Sequence, residues 1–296
     1  MPTSSLNDTI DYVEIPIIPS DRSRPDDTPI EPTIERVKQT LDEIEELWEL
    51  LPIEDQPPVP DVDYDIPEDL VLSIVVPVYN ERATILDVIT RLKALPIKTE
   101  IIVVDDSSTD GTRGWLETIK GASGLRVIFK GQNEGKGAAL QTGFAASTGD
   151  IVVVQDADLE YDPSDIMRVI KPLVTGNADV AYGSRFLCDE HQDPSLFHRL
   201  VNRGLTNFSN LFTGLRLTDM ETCHKAFRRG VIRVLDLRQR RFGFEPEVTA
   251  KIARRRFRVT EVPISYSARG YAEGKKIGVR DAFNALYCIV RYGVAE

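Results

Sequence analysis

The feature that most constrains this sequence is a series of short, Val- and Ile-rich segments that alternate with stretches of helical periodicity. The segments LSIVVPV, TEIIVVD, LRVIFK, DIVVVQ and ADVAYGS follow one another from Val71 onward. Helices are predicted between them, beginning near Arg82, Thr109, Glu134 and Pro163. Strands that are apolar on both faces are typical of parallel sheets covered by helices on both sides. The sequence therefore predicts an α/β fold with a mostly parallel central sheet, whose ligands bind at the carboxyl ends of the strands.

The first 70 residues differ in charge from the rest of the chain. Residues 1–70 contain 20 acidic and 4 basic side chains, whereas residues 71–296 contain 27 acidic and 32 basic ones. Apolar residues recur at 3-4 spacing over residues 33–51, which predicts one amphipathic helix with Thr33 as its N-cap. That helix either pairs with a second copy of itself or lies on the main domain. We expect an acidic extension over residues 1–70, ending in a proline-rich linker, and an α/β domain over residues 71–296.

Composition excludes several other classes of protein. The three cysteines, Cys188, Cys223 and Cys288, are too few and too far apart for a disulfide framework or a zinc site, so we expect packed thiols. No apolar run approaches the ~20 residues of a membrane span, and the N-terminus lacks the features of a secretion signal, so the expected location is the cytoplasm. Basic clusters such as RQRRFGF and KIARRRFR occur without a nucleic-acid-binding motif, so no nucleic acid partner is expected.

Polar side chains follow the first two predicted strands. In VVPVYNE, a helix cap explains Asn80 but leaves Tyr79 and Glu81 without a structural role. In VVDDSSTDGT, the adjacent carboxylates of Asp105 and Asp106 are costly at the tip of a buried strand unless hydrogen-bond donors meet them. These strand ends are therefore predicted to bind a polar ligand.

The third and fourth strands lead into two further groups. Lys136 stands between two glycines at a predicted helix start, where backbone amides and a lysine favour phosphate, although many such starts are only tight turns. In QDADLEYDP, Asp156 and Asp158 lie two residues apart on an extended segment and so point the same way. Two such carboxylates suit one hard cation, Mg²⁺ or Mn²⁺, which neutralises their mutual repulsion and bridges a diphosphate.

Together, the motifs VVPVYNE, VVDDSSTDGT, NEGKGAAL and QDADLEYDP resemble the family 2 glycosyltransferases of GT-A fold. The chain is most similar to the dolichol-phosphate mannosyltransferase and polyprenol-phosphate glycosyltransferase group, over roughly residues 71–294. Two departures stand out. Glu160 occupies a position where the group often has glutamine. Its extra charge strengthens metal binding, or its side chain points away from the metal. Members commonly carry C-terminal transmembrane helices, whereas this chain ends at FNALYCIVRYGVAE.

The resemblance implies roles for particular residues. It implies that the nucleotide sugar is bound by Pro77, Tyr79, Glu81, Asp105, Asp106, Lys136 and Asp156. It implies that Mg²⁺ or Mn²⁺ is held by Asp156 and Asp158, with Glu160 as a further ligand. It implies contacts to phosphates or the acceptor from Ser184, Arg185, Thr222, Arg269, Lys275 and Lys276. The residues expected to take part in catalysis are Asp158, Asp219, Glu221 and Arg269.

The implied reaction is the inverting transfer of a sugar from a nucleotide sugar, GDP-mannose or a UDP-hexose, to a polyprenyl phosphate. Such an acceptor would place the protein at the inner face of the membrane. The alternative acceptor is a sugar hydroxyl, in which case Asp219 or Glu221 would accept its proton. A non-catalytic nucleotide-sugar-binding module is a third interpretation. An NAD-binding oxidoreductase is disfavoured because Leu140 replaces the third glycine of the dinucleotide motif. The apolar C-terminal segment is predicted to pack on the core rather than to lie in a lipid interface.

Overall fold

A computed structural model describes residues 62–187, 196–268 and 279–294. In these ranges the strands are β1 (Val71–Val78), β2 (Lys98–Asp105), β3 (Leu125–Phe129), β4 (Ile151–Val154), β5 (Val180–Ser184), β6 (Lys225–Arg228) and β7 (Val259–Pro263). The helices are α1 (Ile85–Lys93), α2 (Thr112–Ile119), α3 (Lys136–Ala146), α4 (Asp165–Val174), α5 (Leu196–Thr213), α6 (Arg229–Val234), α7 (Phe244–Arg254) and α8 (Val279–Val294). The predicted helix over residues 33–51 lies outside the described residues.

The strands form one sheet in the order β3-β2-β1-β4-β6-β5-β7. All described pairs are parallel except those of β6, which runs antiparallel to both β4 and β5. The expected mostly parallel sheet is therefore confirmed, with one strand inserted in the opposite direction. Its five predicted strands are all present, because near-continuous apolar runs such as Ile151–Val154 are wholly buried.

The four predicted helices begin two or three residues later than the sequence analysis placed them. At α2 the difference has a local cause. The carboxylate of Asp110, rather than a hydroxyl of the preceding serines, accepts hydrogen bonds from the backbone amide and the hydroxyl of Thr112, at 3.0 and 2.6 Å. Asp110 also accepts a hydrogen bond from the backbone amide of Arg82 at 3.2 Å, so one carboxylate holds both the start of α2 and the loop between β1 and α1.

The first described residues lie against helix α4. The hydroxyl of Tyr64 donates a hydrogen bond to the carbonyl of Met167 at 2.7 Å, and Asp63 pairs with Lys171 at 2.6 Å. Val62, Ile66 and Leu70 pack on the main core. The part of the expected linker that the structure describes, residues 62–70, is therefore attached to the α/β domain.

Helices α5, α7 and α8 pack against one another beside the sheet. On α8 the buried side chains are Ala285, Cys288, Ile289 and Tyr292, while Phe283, Leu286, Tyr287, Val290 and Val294 on the other side are exposed. The prediction that this segment packs on the core is confirmed for one of its two faces. Cys223 and Cys288 are buried free thiols, as expected, and Cys188 lies outside the described residues. Within the described ranges, no helix is both long enough and apolar enough to span a bilayer.

Candidate active site

The carboxyl ends of β1, β2 and β4 meet at one edge of the sheet. Three non-glycine residues in the loops that leave these strands have left-handed φ angles: Asn80 at 57°, Ser107 at 66° and Leu159 at 60°. Asn80 joins two of the loops, because its backbone amide donates to Ser108 Oγ at 2.9 Å and its side-chain Oδ1 accepts the backbone amide of Thr109 at 2.8 Å. Backbone conformations of this kind cluster at functional sites, where the surrounding structure holds them in place.

The adjacent acids at the end of β2 have internal hydrogen-bond donors. Asp105 is buried, accepts the amide of Ser108 at 3.2 Å and lies 3.6 Å from the guanidinium of Arg113. Asp106 accepts the amides of Glu134 and Gly135 at 3.0 and 2.7 Å, which connects β2 to the start of α3. These hydrogen bonds offset the cost of burying the two carboxylates at the end of a strand. Their predicted contacts to a nucleotide stay a prediction.

Lys136 and Asp156 form the central ion pair of this edge. The ammonium of Lys136 lies 2.8 Å from Oδ1 and 2.9 Å from Oδ2 of Asp156. Burial alone would lower the pKa of Lys136, but attraction to Asp156 and nearby Glu245 outweighs it and raises the pKa well above its usual value. The same pairing outweighs burial at Asp156 and lowers the pKa of its carboxyl. The sequence placed these two residues at the same edge, and the structure brings them into direct contact.

The start of α3 is held by close backbone packing. A Cβ atom on Gly135 would lie 2.6 Å from the carbonyl oxygen of Arg240, and one on Gly137 would lie 2.3 Å from that of Gln239. The amide of Ala138 also donates to the carbonyl of Arg240 at 2.9 Å. Only glycine permits this approach, so the two glycines around Lys136 fix its backbone against the loop before α7.

The predicted metal-binding acids lie beyond the end of β4. Asp158 accepts the backbone amide of Glu160 at 3.2 Å, and the side chain of Glu160 accepts a hydrogen bond from Tyr266 at 2.8 Å. Across the described ranges, no group of three or more His, Cys, Asp or Glu side chains is arranged to hold a metal ion. Carboxylates are the ligands that Mg²⁺ and Mn²⁺ prefer, so Asp156 and Asp158 fit such an ion, while Glu160 is engaged with Tyr266.

Two further carboxylates interact near this ion pair: Glu245 is buried and Glu221 is half-buried. Glu245, on the first turn of α7, is 4% exposed, and its Oε1 lies 3.8 Å from the ammonium of Lys136. Its Oε2 and the Oε1 of Glu221 are buried without a hydrogen-bond partner in the described structure. Burial, and next the charge of Glu245, raises the pKa of Glu221 to about 8. Glu221 was predicted from the sequence, but Glu245 was not, because its segment FGFEPE follows no predicted strand.

Arg185, which directly follows β5, forms a bidentate ion pair with Asp219. Arg185 Nε lies 2.7 Å from Oδ2 and Nη2 lies 2.8 Å from Oδ1 of Asp219, and the guanidinium lies 5.1 Å from the centre of the Tyr266 ring. Asn202 donates a further bond to Asp219 at 3.2 Å. Arg185 outweighs burial and lowers the pKa of Asp219. Asp219 is therefore held in its charged form by Arg185.

A buried histidine supports the loop that carries Asp156. His224 Nε2 lies 2.8 Å from Oε1 of Gln155, whose amide donates to the carbonyls of Asp156 and Tyr161 at 3.1 and 3.2 Å. Burial lowers the pKa of His224 to about 4, against smaller opposing contributions from Asp156 and Asp162. His224 therefore stays neutral at physiological pH and acts as a packing and hydrogen-bonding group.

The remaining predicted site residues are divided between this edge and undescribed segments. Pro77, near the end of β1, pairs with Val104, and the half-buried Tyr79 and Glu81 follow in the same loop. Ser184 and Thr222 are buried. Ser184 Oγ lies 2.6 Å from Thr218 Oγ1, and the hydroxyl of Thr222 meets no partner among the described residues. The predicted phosphate-binding residues Arg269, Lys275 and Lys276 lie outside the described residues.

The fold and this edge define the class of protein: an α/β protein that gathers aspartates and a lysine where nucleotide-binding enzymes of this architecture bind their ligands. The Glycosyl transferase family 2 profile matches residues 73–235, more than half of the chain. The chain belongs to that family, which confirms the resemblance seen in the motifs and the expected enzyme class, glycosyltransferase, over the oxidoreductase alternative.

Relatives of this chain include transferases named for undecaprenyl phosphate. Undecaprenyl-phosphate mannosyltransferase of Micrococcus luteus is 28% identical over 229 residues, which cover 75% of this chain and 93% of that protein. Undecaprenyl-phosphate 4-deoxy-4-formamido-L-arabinose transferase of Pseudomonas fluorescens is 31% identical over 71% of this chain, and its counterpart in Aeromonas hydrophila is 28% identical over 74%. The chain spans 61% and 66% of the length of these two transferases.

Solved structures confirm the fold. Glucosyl-3-phosphoglycerate synthase of Mycobacterium tuberculosis, crystallised with UDP, superposes with a TM-score of 0.61 at 23% identity, covering 77% of this chain and 82% of that one. The same enzyme crystallised with Mg²⁺ and UDP gives a TM-score of 0.60 at 24% identity, over 77% and 81% of the two chains. The expected GT-A fold is therefore present.

Proposed function

We propose that this protein transfers a sugar from a nucleotide sugar to a polyprenyl phosphate, with inversion at the anomeric carbon and with Mg²⁺ or Mn²⁺. The observation that carries the proposal is the placement of Asp156 at the end of β4, against Lys136 on the first turn of α3. This arrangement offers a carboxylate to a cation and a helix N-terminus to a diphosphate within one edge of the sheet. The names of the undecaprenyl-phosphate transferases related to this chain support the acceptor.

The donor site follows from the strand ends. Pro77, Tyr79, Glu81, Asp105 and Asp106 would surround the base and ribose, since their loops leave β1 and β2 side by side. Asp156 and Asp158 would hold the cation, which supplies charge neutralisation for the leaving diphosphate. Lys136 would lie near the same nucleotide, because it stands on the first turn of α3 against Asp156.

The acceptor determines whether a base is needed. A polyprenyl phosphate is already an anion near neutral pH, since its second pKa is about 6, so it attacks without losing a proton. Arg185, Ser184 and Thr222, with Arg269, Lys275 and Lys276, are the groups we assign to its phosphate. The excess of 32 basic over 27 acidic side chains in residues 71–296 supports an anionic acceptor.

The alternative acceptor, a sugar hydroxyl, is favoured by one observation. The carboxyl of Glu221 has a pKa of about 8, raised first by burial and then by Glu245, and a group of this kind accepts a proton near neutral pH. Transfer to a hydroxyl would then increase as the pH rises toward about 8 and would be lost in Glu221→Gln. Transfer to a phosphate would not need Glu221 as a base.

Association with a lipid surface belongs to the same proposal, because a polyprenyl chain resides in a bilayer. The support is helix α8, which exposes a continuous apolar side formed by Phe283, Leu286, Tyr287, Val290 and Val294. These residues recur every three or four positions, so they form one stripe along the helix. We propose that this stripe lies in the headgroup region at the cytoplasmic face of the membrane.

The test measures nucleoside diphosphate release from a panel containing GDP-mannose, UDP-glucose and UDP-N-acetylglucosamine, with Mn²⁺, with and without a short polyprenyl phosphate. We expect release from one donor that requires both the metal and the lipid phosphate, and a loss of at least ~100-fold in Asp158→Ala. Asp162→Ala is the matched control, since this acid of the same loop caps the amide of Ser164 at 2.9 Å. Release that ignores the lipid phosphate but responds to sugar acceptors would replace the proposal by the hydroxyl alternative.

A further inference from the structure

We propose that the ammonium of Lys136 occupies the cation position at the carboxylate of Asp156 while no metal is bound, and that this ammonium moves to Glu245 when a divalent cation binds. Lys136 and Glu245 are then positioning residues that set the affinity of the site for the cation. The inference rests on the proposed metal role of Asp156 and Asp158 and adds the means by which the site is kept neutral before the metal arrives.

The ion pair between Lys136 and Asp156 has a geometry that a bound cation would also need. The ammonium of Lys136 is nearly equidistant from the two oxygens of Asp156, at 2.8 and 2.9 Å. It therefore meets both oxygens that a cation would use. Both side chains are about one-fifth exposed, so strong attraction acts across a short distance with little screening. A divalent ion must compete with this ammonium for Asp156.

The backbone of Lys136 is fixed. Gly135 and Gly137 on either side of it pack directly on the carbonyls of Arg240 and Gln239, with no room for even a Cβ atom. The helix start is held further by the hydrogen bond between Ala138 and Arg240. The lysine cannot leave Asp156 by a shift of α3, so the movement is confined to its four-carbon side chain.

Glu245 offers a second position for the ammonium. Oε1 of Glu245 lies 3.8 Å from Lys136 Nζ, and Oε2 of Glu245 is buried and accepts no hydrogen bond from any described residue. Helix α7, which carries Glu245, is held to the preceding loop, because Glu247, two residues further on, accepts the backbone amides of Arg238 and Gln239 at 2.9 and 2.7 Å. A buried carboxylate oxygen without a donor is costly, so the ammonium gains at Glu245 part of what it loses at Asp156.

The test is the affinity for Mn²⁺ alone, without nucleotide, measured by electron paramagnetic resonance of the free ion. We expect Lys136→Met to bind Mn²⁺ about tenfold more tightly than the wild type, because the competing cation is gone. We expect Glu245→Gln to bind it several-fold more weakly, because the ammonium then stays on Asp156. In the Lys136→Met background, Glu245→Gln should change the affinity by less than about twofold, since no ammonium remains to be moved.

The double variant separates this mechanism from a general field effect. If Glu245 acted only through its charge, Glu245→Gln would weaken Mn²⁺ binding equally in both backgrounds, and that result would overturn the inference. An unchanged or weaker affinity in Lys136→Met would also overturn it. Lys130→Met is the matched control, because Lys130 pairs with Glu134 at 2.5 Å and not with Asp156, and its Mn²⁺ affinity should stay near the wild-type value. Lys136→Gln serves as a second variant if Lys136→Met unfolds.

Asp158→Ala distinguishes failure of the inference from failure of the proposed function. If Mn²⁺ binding survives in Asp158→Ala, the ion does not use the proposed carboxylate pair and the metal role itself fails. If binding is lost in Asp158→Ala but Lys136→Met behaves like the wild type, the metal role stands and only the displacement of Lys136 fails.

Discussion

Among single residues, Asp219 and Glu221 show how neighbours decide the charge of a buried carboxyl. They lie two positions apart, and burial raises the pKa of both. At Asp219 the guanidinium of Arg185 outweighs burial and lowers the pKa, whereas at Glu221 the charge of Glu245 adds to burial and raises it to about 8. Pairs whose pKa values are pushed apart are typical of sites that use one charged and one neutral acid. Asp219 is therefore a fixed anion, and Glu221 is the acid whose charge can change near neutral pH.

His224 predicts a specific dependence of stability on pH. Its pKa falls from 6.5 to about 4 in the folded protein, so the unfolded chain takes up a proton first as the pH drops below 6.5. The stabilisation is complete above that value and is lost as the pH falls toward 4. Between pH 7.5 and 5.0 this residue should lower the free energy of unfolding by about 2 kcal/mol. Urea unfolding at several pH values measures the change.

The variant His224→Gln isolates the contribution of this histidine. Glutamine does not titrate and can keep a hydrogen bond to Gln155, so the difference in unfolding free energy between pH 7.5 and 5.0 should shrink by about the same 2 kcal/mol. An identical pH dependence in the variant and the wild type would show that His224 is not held neutral by burial.

Sequence reasoning found most of the residues at this site but not their contacts. Asp156 and Lys136 were recognised because acids at a strand end and a lysine at a glycine-rich helix start each have a local signature. Glu245 has none: it lies on the first turn of α7 and reaches Lys136 only because the loop before α7 packs on Gly135 and Gly137. Contacts of this kind arise from packing between distant segments and leave no periodic pattern in the sequence.

Among the elements, helix α8 is unusual because it is apolar on both sides. Its inner side packs on α5 and α7, where a Cβ atom on Gly293 would lie 2.7 Å from Phe212. On its outer side Phe283 is 68% and Tyr287 is 58% exposed. Large exposed apolar stripes mark sites of interaction, and the proposed lipid acceptor is the reason for proposing a lipid surface as the partner.

The lipid interface is tested by flotation with vesicles of anionic phospholipid. We expect the wild type to float with the vesicles and the double variant Tyr287→Asp with Val290→Asp to float at least about fivefold less, because two charges would enter the apolar stripe. Leu86→Asp is the matched control, since Leu86 is 51% exposed on α1 and lies outside the stripe. Equal loss in the control, or none in the double variant, would exclude α8 as the lipid-binding element.

Strands and helices could be predicted where their buried residues form a regular apolar pattern in the sequence. Strands β1 to β5 and helices α1 to α4 follow from apolar runs and 3.6-residue periodicity. Strand β6 escaped prediction because its four residues include Lys225 and Arg228, which do not read as a buried strand. Lys225 is nevertheless completely buried and lies over the ring of Tyr182 at 4.8 Å. The sequence alone does not contain this pairing, since it depends on a strand 43 residues earlier.

For the whole molecule, the boundary between the acidic extension and the α/β domain remains a prediction. The family profile begins at residue 73, yet the described structure attaches Tyr64 and Asp63 to helix α4. A domain that begins at residue 62 would keep its midpoint of thermal unfolding nearly unchanged when residues 1–61 are removed. Removal of residues 1–70 should lower it by several degrees, because the Tyr64 hydrogen bond and the packing of Ile66 and Leu70 are lost.

Calorimetry of the two shortened chains beside the full chain checks this boundary. A similar decrease in both would place stabilising contacts within residues 1–61. No decrease in either would show that residues 62–70 contribute little to the domain, and the predicted boundary near residue 70 would then be kept.

The antiparallel strand β6 also has a consequence for the order of events on the ribosome. In the finished sheet β6 stands between β4 and β5, so both of these strands wait for Lys225–Arg228 before each gains that neighbour. About 70 residues separate the end of β4 from the start of β6, which takes roughly 4 to 14 s at ~5–20 residues per second. During that interval the nascent chain displays the open edge of Ile151–Val154, a segment that the mature protein buries completely. The half of the sheet beyond β4 is therefore closed late, after most of the chain has been translated.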